Sequence, residues 1–197
     1  MQKYNQPGDI HFVTFRTFKN LPIFKDKRYC ELFLENCNFY RKKYDLKIFS
    51  YAILWEHIHQ MIRFDMEKFP NLTISQIIHD VKGRTAQSIS KYIFSQMGSR
   101  SFYASAGINL RQGIKALSTQ RREGKYISTR DCLKIWQTGF YDFNIYTEKK
   151  FREKLKYIHN NPIKHGLTDD ISKYKFCSWR NYELNDHSIF KIDFAEY

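Results

Sequence analysis

The chain lacks the features that would assign a chemistry at once. Its four cysteines, Cys30, Cys37, Cys132 and Cys177, form no CxxC pair and show no zinc spacing. They read as reduced thiols of a cytoplasmic protein, with Cys30 and Cys37, two helical turns apart, in the core. No apolar run is long enough to span a bilayer. The segment 1–8 has no signal-peptide apolar stretch, so no membrane partner is expected. Walker A and GxGxxG motifs are missing, which leaves nucleotide hydrolysis and dinucleotide binding without support and predicts no nucleotide cofactor. There are no internal repeats. Acidic side chains are also scarce: 20 Asp and Glu stand against 33 Lys and Arg, for a formal charge of +13. Such an excess points to a polyanionic partner, with nucleic acid foremost. Aromatics make up 17% of the chain, and mixed with Lys and Arg some of them suit stacking on unpaired bases. At 197 residues the chain can bury a real core as one domain.

Hydrophobic periodicity predicts strands over 10–18, 46–54 and 57–64, the last two joined by a turn at Trp55-Glu56. A helix is predicted over 26–44 behind an Asp26 N-cap, with Tyr29, Leu32, Phe33, Asn36 and Tyr40 at helical spacing. A second helix runs from Thr73 or Ser75 to about Gln96. The stretch 98–130, rich in Ser, Gly, Arg and Gln, reads as a basic insertion, mobile or weakly helical. Strand returns over 135–146, where Tyr141 and Tyr146 are expected in the core. A helix capped by Thr147 follows and is expected to stop near Asn160, because Pro162 disfavours helical geometry at Asn161. The domain is expected over 1–183, with 184–197 as a C-terminal extension. This order predicts an α+β fold, a split βαβ with an antiparallel sheet and helices packed on one face.

The richest motif is His57-Ile58-His59. Alternate residues of a strand share a face, so both imidazoles point one way and Ile58 the other. Two aligned imidazoles can hold a divalent metal, although a lone His-x-His pair is more often structural. The late helix adds a second half. Phe151, Leu155 and Ile158 form its buried stripe, while Lys150, Lys154, Tyr157 and Asn161 fall on another. A tyrosine off the core line is not needed for packing. Its hydroxyl attacks only when activated, and a neighbouring cation favours the anion. Asn161, one turn on, can offer a carbonyl oxygen to a metal that Tyr157 approaches. The mechanism this predicts is cleavage of a phosphodiester by Tyr157, with His57, His59 and Asn161 on Mg²⁺ or Mn²⁺. Lys82, Arg84, Lys150 and Lys154 are the expected phosphate contacts. His159 is expected to pack or hydrogen-bond; His79 and His165 have no evident partner.

These residues resemble the single-tyrosine HUH transposases of bacterial insertion sequences, and more closely the REP-associated tyrosine transposases. The resemblance rests on the histidine pair, on Ile135-Trp136-Gln137, on Phe140-Tyr141-Asp142, on Tyr157-Ile158-His159-Asn160-Asn161-Pro162-Ile163-Lys164-His165-Gly166-Leu167, and on the tail Lys175-Phe176-Cys177-Ser178-Trp179-Arg180-Asn181-Tyr182. It implies a ferredoxin-like fold, a divalent metal and a single-stranded or hairpin DNA substrate. It also implies Tyr157 as nucleophile, His57, His59 and Asn161 as the metal set, and a monomer or a homodimer. The chain departs from the family where Pro-Asn usually precedes the first histidine, which here is Trp55-Glu56. It departs again where a histidine often follows Phe-Tyr-Asp, which here is Phe143. A domesticated protein that binds DNA hairpins without cutting them is the competing expectation.

Overall fold

The computed structural model describes residues 9–97 and 133–195; the basic insertion expected at 98–130 lies outside the described residues. Four strands, β1 (Ile10–Arg16), β2 (Lys47–Ile53), β3 (His57–Arg63) and β4 (Tyr141–Ile145), form an antiparallel sheet in the order β2-β3-β1-β4. Helix α1 (Lys27–Tyr44) follows β1 and α2 (Ile74–Met97) follows β3. The result is the predicted split βαβ arrangement. The local signals act as read: the Asp26 carboxylate accepts from Arg28 N–H at 2.8 Å, and the Thr73 hydroxyl accepts from Gln76 N–H at 3.1 Å.

Helices α1 and α2 cover one face of the sheet. Phe33, Ile77, Val81 and Ile89 bury against Val13, Phe15, Ile58 and Ile62, each such side chain contributing roughly 1.5–3 kcal/mol. The third helix, α3 (Glu148–Lys164), is placed differently. Phe151 and Ile158, with Leu155 packed beside them, lie against Phe12, Phe49, Ala52 and Met61. The one-face layout therefore holds for the two helices of the βαβ unit, while α3 covers the opposite face. The reason is the sheet itself: β1, β2 and β3 carry apolar side chains on both faces, and each face needs a cover.

Two boundaries differ from expectation. The strand expected over 135–146 is regular only over β4; Trp136 contributes a single bridge to Thr17. Gly139 takes a positive φ of 76° and breaks the run, and the Lys82 ammonium donates to the Gln137 and Gly139 carbonyls at 2.7 and 2.8 Å. Helix α3 continues past Pro162 to Lys164. The proline forfeits one intrahelical bond, but the turn beyond it is closed by a Schellman motif. Gly166 N–H donates to Ile163 O and Leu167 N–H to Pro162 O, both at 2.9 Å, with Gly166 at φ 68°.

The 184–195 segment is packed rather than trailing: Phe190 and Ile192 join the core, and the Asp193 carboxylate accepts from Ile48 N–H at 2.9 Å. Ahead of it, residues 176–178 hydrogen-bond along the outer edge of β2 through Ile53 N–H to Phe176 O and Ser178 N–H to Tyr51 O, closing an otherwise open edge. Among the described residues no helix is long and apolar enough to cross a membrane.

Trp136 fastens its segment to the helical layer. Its ring meets Phe15 at 5.3 Å and Phe24 at 5.4 Å, and its Nε1–H donates to Lys82 O at 2.9 Å. Trp136→Ala is expected to cost about 3–5 kcal/mol, read from urea unfolding midpoints.

Candidate functional site

β3 turns out of a two-residue hairpin, closed by Leu54 N–H donating to His57 O at 2.8 Å. That fixes the register. His57 and His59 lie on the α3 face with rings 4.8 Å apart, edge to face, and Ile58 enters the α1–α2 core. Both histidines are buried. Burial pushes His57 down to about 4 and His59 down to about 3. The Arg16 charge acts the same way on both. Glu56 partly opposes the shift at His57, and the Asn161 amide opposes it at His59. Both rings are thus neutral near pH 7, the form in which imidazole binds a metal.

Each ring is also oriented from behind. Glu56 Oε1 lies 3.0 Å from His57 Nδ1. A carboxylate only accepts, so Nδ1 carries the proton and Nε2 the lone pair. Thr14, directly opposite His59 across β1 and β3, places its hydroxyl 2.7 Å from His59 Nδ1. That pairing leaves His59 Nε2 as the outward nitrogen.

Helix α3 brings Tyr157 and Asn161 to the same place. The Tyr157 ring meets His59 at 5.3 Å and Phe12 at 5.9 Å, both edge to face, and remains 41% exposed. Asn161 is buried. Its Nδ2 donates to the Tyr157 carbonyl at 2.6 Å, which fixes the amide and leaves Oδ1 as the free end. His59 Nε2 and Asn161 Oδ1 are both buried without a hydrogen-bond partner among the described residues. Leaving two such atoms unpaired costs roughly 1–3 kcal/mol each. Two imidazole nitrogens and an amide oxygen, two of the three atoms orphaned, fit a divalent cation. Among the described residues no cluster of three or more His, Cys, Asp or Glu offers another metal site.

Of the four expected phosphate contacts, one stands at this site. The Lys154 ammonium lies 4.8 Å from the Phe12 ring centre and 5.8 Å from that of Tyr157. Lys150, one turn earlier, pairs with Glu153 at 2.6 Å. Lys82 and Arg84 belong to α2, on the other side of the sheet. Lys82 is held by backbone carbonyls, and the Arg84 guanidinium rests 3.7 Å over Phe39. His159 bonds Ser178 Oγ at 3.0 Å, a packing role as expected. His165 does have partners: its ring meets His57 at 4.9 Å, and its Nδ1 lies 3.8 Å from Glu56.

Sequence reasoning missed Thr14, Arg16 and Glu56. Arg16 stands opposite His57, exposed and without an ion pair among the described residues. One signal was present: Phe12, Thr14 and Arg16 alternate along β1, so a polar pair shares a face with an apolar residue. Which face that is depends on pairing with β3, which no local pattern reveals. Tyr141 and Tyr146, expected in the core, are 54% and 62% exposed: they bracket β4, the first opening this edge strand and the second following its last residue.

The family model for IS200-like transposases matches residues 8–106, half of the chain, including the whole histidine hairpin. The chain belongs to that family. Tyr157 and Asn161 lie beyond the matched residues, so their place beside the histidines is an independent finding. The REP-associated tyrosine transposase of Escherichia coli (strain K12) is 36% identical over 88 residues, 44% of this chain. That match spans about half of the relative's length, 52%. A solved structure of a REP-associated tyrosine transposase bound to a REP hairpin aligns over 100% of this chain and 91% of its own, with a TM-score of 0.62 at 17% identity. This family member therefore shares the fold of that transposase.

Proposed function

We propose that the chain is a metal-dependent single-stranded DNA endonuclease and strand transferase, a transposase that cuts DNA through a 5′-phosphotyrosine and rejoins it. The observation that carries this reading is the meeting, within one chain, of an exposed tyrosine and two orphaned buried donor atoms beside a neutral histidine pair. His57, His59 and Asn161 would hold Mg²⁺ or Mn²⁺. When bound, the ion supplies Lewis-acid polarisation of a non-bridging phosphate oxygen.

The chain's own residues do the rest. Tyr157 Oη forms the bond to phosphorus, the bond from phosphorus to the 3′-oxygen breaks, and the proton lost by the phenol is balanced by the one gained by the leaving 3′-hydroxyl. Return attack by a 3′-hydroxyl on the phosphotyrosine restores the diester without an external energy source. Arg16, opposite His57, and Lys154, beside the Tyr157 ring, would bring positive charge to the phosphate. Phe12 and His59 fix the tyrosine ring, so the nucleophile is positioned before substrate arrives. The E. coli relative is REP-associated and the structural relative was captured on a hairpin; by analogy the substrate here is single-stranded DNA beside a hairpin.

Incubation with labelled hairpin oligonucleotides and Mn²⁺ tests the reading. A covalent adduct that survives denaturation is expected, and it is lost with EDTA. Salt-sensitive retention without any adduct, across many hairpin and single-stranded sequences, would instead identify a domesticated hairpin-binding protein.

Glu56 gives a separate prediction. As the carboxylate behind a ligating histidine it fixes the tautomer and raises basicity. Glu56→Gln is expected to weaken Mn²⁺ binding about 10–100-fold in calorimetric titration. Unchanged affinity would remove Glu56 from the site.

A further inference from the structure

We propose that Tyr141, on the open edge of the sheet, is a stacking shelf for the unpaired base next to the scissile phosphate. The inference rests on the DNA reading above and deepens it by placing a nucleobase subsite.

Four observations converge on this residue. Tyr141 opens β4, the outer strand of the sheet, which pairs only with β1 among the described residues. It is 54% exposed, so its ring is accessible to a base. It is tied to the cleavage site by a shared neighbour: Phe12 meets Tyr141 at 6.1 Å and Tyr157 at 5.9 Å, both edge-on. Tyr141 also stands opposite Thr14, the residue that orients His59, so β1 holds Tyr141 and His59 on its opposite flanks.

Charge supplies the remaining part. The Lys154 ammonium lies 4.8 Å from the Phe12 ring centre and 5.0 Å from that of Phe143, on this same face, and makes no ion pair among the described residues. A nucleic-acid strand with one phosphate at Tyr157 has a cation beside its backbone and an open aromatic face for the neighbouring base. Exposed aromatics beside basic side chains bind unpaired bases in this way with little regard to sequence. A duplex base has its faces already stacked, so the shelf selects an unpaired nucleotide. Tyr146 is more exposed but meets none of the site's rings among the described residues.

The test measures binding in EDTA, where cleavage is off, by fluorescence anisotropy. The probe is a DNA hairpin with short thymidine flanks, and an abasic residue is moved through each flank position. Tyr141→Ala is expected to weaken binding to the intact probe roughly 5- to 150-fold, the loss associated with one base–aromatic stack. Tyr141→Phe should bind as the wild type does. One abasic position should weaken the wild type by a similar factor and the Tyr141→Ala variant hardly at all, because the two changes remove the same contact. Wild-type binding by Tyr141→Ala overturns the proposal. So do losses that multiply at every abasic position, since a merely structural role would give that pattern. If the coupling appears but no adduct forms with Mn²⁺, the shelf stands and the enzyme reading fails. If the adduct forms without coupling, the enzyme stands and the shelf fails. No salt-sensitive binding to any probe sinks both.

Discussion

Tyr157→Phe is expected to abolish the covalent protein–DNA adduct while leaving fold and DNA binding in place. Enzymes that act through a covalent intermediate lose on the order of 10⁴–10⁶ in rate when the nucleophile is removed. Here the loss means no detectable adduct in an overnight reaction. The phenyl ring keeps both edge-to-face contacts, with His59 at 5.3 Å and Phe12 at 5.9 Å. The residue is 41% exposed, so the change should move stability by no more than about 0.5 kcal/mol. Anisotropy with the hairpin probe should therefore be unchanged as the adduct band disappears. Two other exposed tyrosines among the described residues make the assignment refutable. If Tyr157→Phe still forms an adduct, peptide mapping would find it on another side chain, with Tyr141 and Tyr146 the exposed tyrosines among the described residues, and the proposed role of α3 falls. The same mapping on wild-type protein should return a single modified peptide containing Tyr157.

The parts of this site legible in the sequence are those that local periodicity controls. His57 and His59 face one way because strand side chains alternate. Tyr157 and Asn161 stack because they are one helical turn apart. What could not be read locally is what a distant strand brings. Thr14 reaches His59 and Arg16 faces His57 through the β1–β3 register, and register follows from the whole sheet's burial pattern. The face taken by α3 was illegible for a related reason: a helix stripe declares that it is buried, not against which side of a sheet. Pro162 misled in the other direction. The rule that a helix ends before proline is local, and here a Schellman closure built on Gly166 lets the helix run one turn further. That extra turn carries His165 to within 4.9 Å of His57, ring centre to ring centre, so a boundary error of a few residues hid a neighbour of the site.

His59→Leu is expected to separate metal binding from folding. In the metal-free protein His59 brings the bond with Thr14 at 2.7 Å and ring contacts with Phe12, His57 and Tyr157 that leucine keeps only as apolar packing, and one cost, a buried Nε2 with no partner among the described residues. The bond is worth about 0.5–1.5 kcal/mol and the unpaired nitrogen costs about 1–3 kcal/mol. Leucine fills similar space with apolar atoms, at the expense of leaving the Thr14 hydroxyl oxygen without the Nδ1–H donor. The terms nearly cancel, so the EDTA unfolding midpoint should lie close to that of the wild type. With Mn²⁺ the two proteins should part. An ion that binds the folded state at 100 times its dissociation constant stabilises the wild type by about 2.7 kcal/mol. The variant, deprived of one nitrogen of a three-atom set, should gain almost none of this and form no adduct. An equal Mn²⁺-induced shift in both proteins would mean that the ion binds elsewhere, and an adduct formed by wild type in EDTA would remove the metal from the chemistry. A variant far less stable than wild type in EDTA would show that His59 is retained for packing. The orphaned nitrogen argues against that outcome: a histidine kept only for stability would be expected to have both ring nitrogens satisfied.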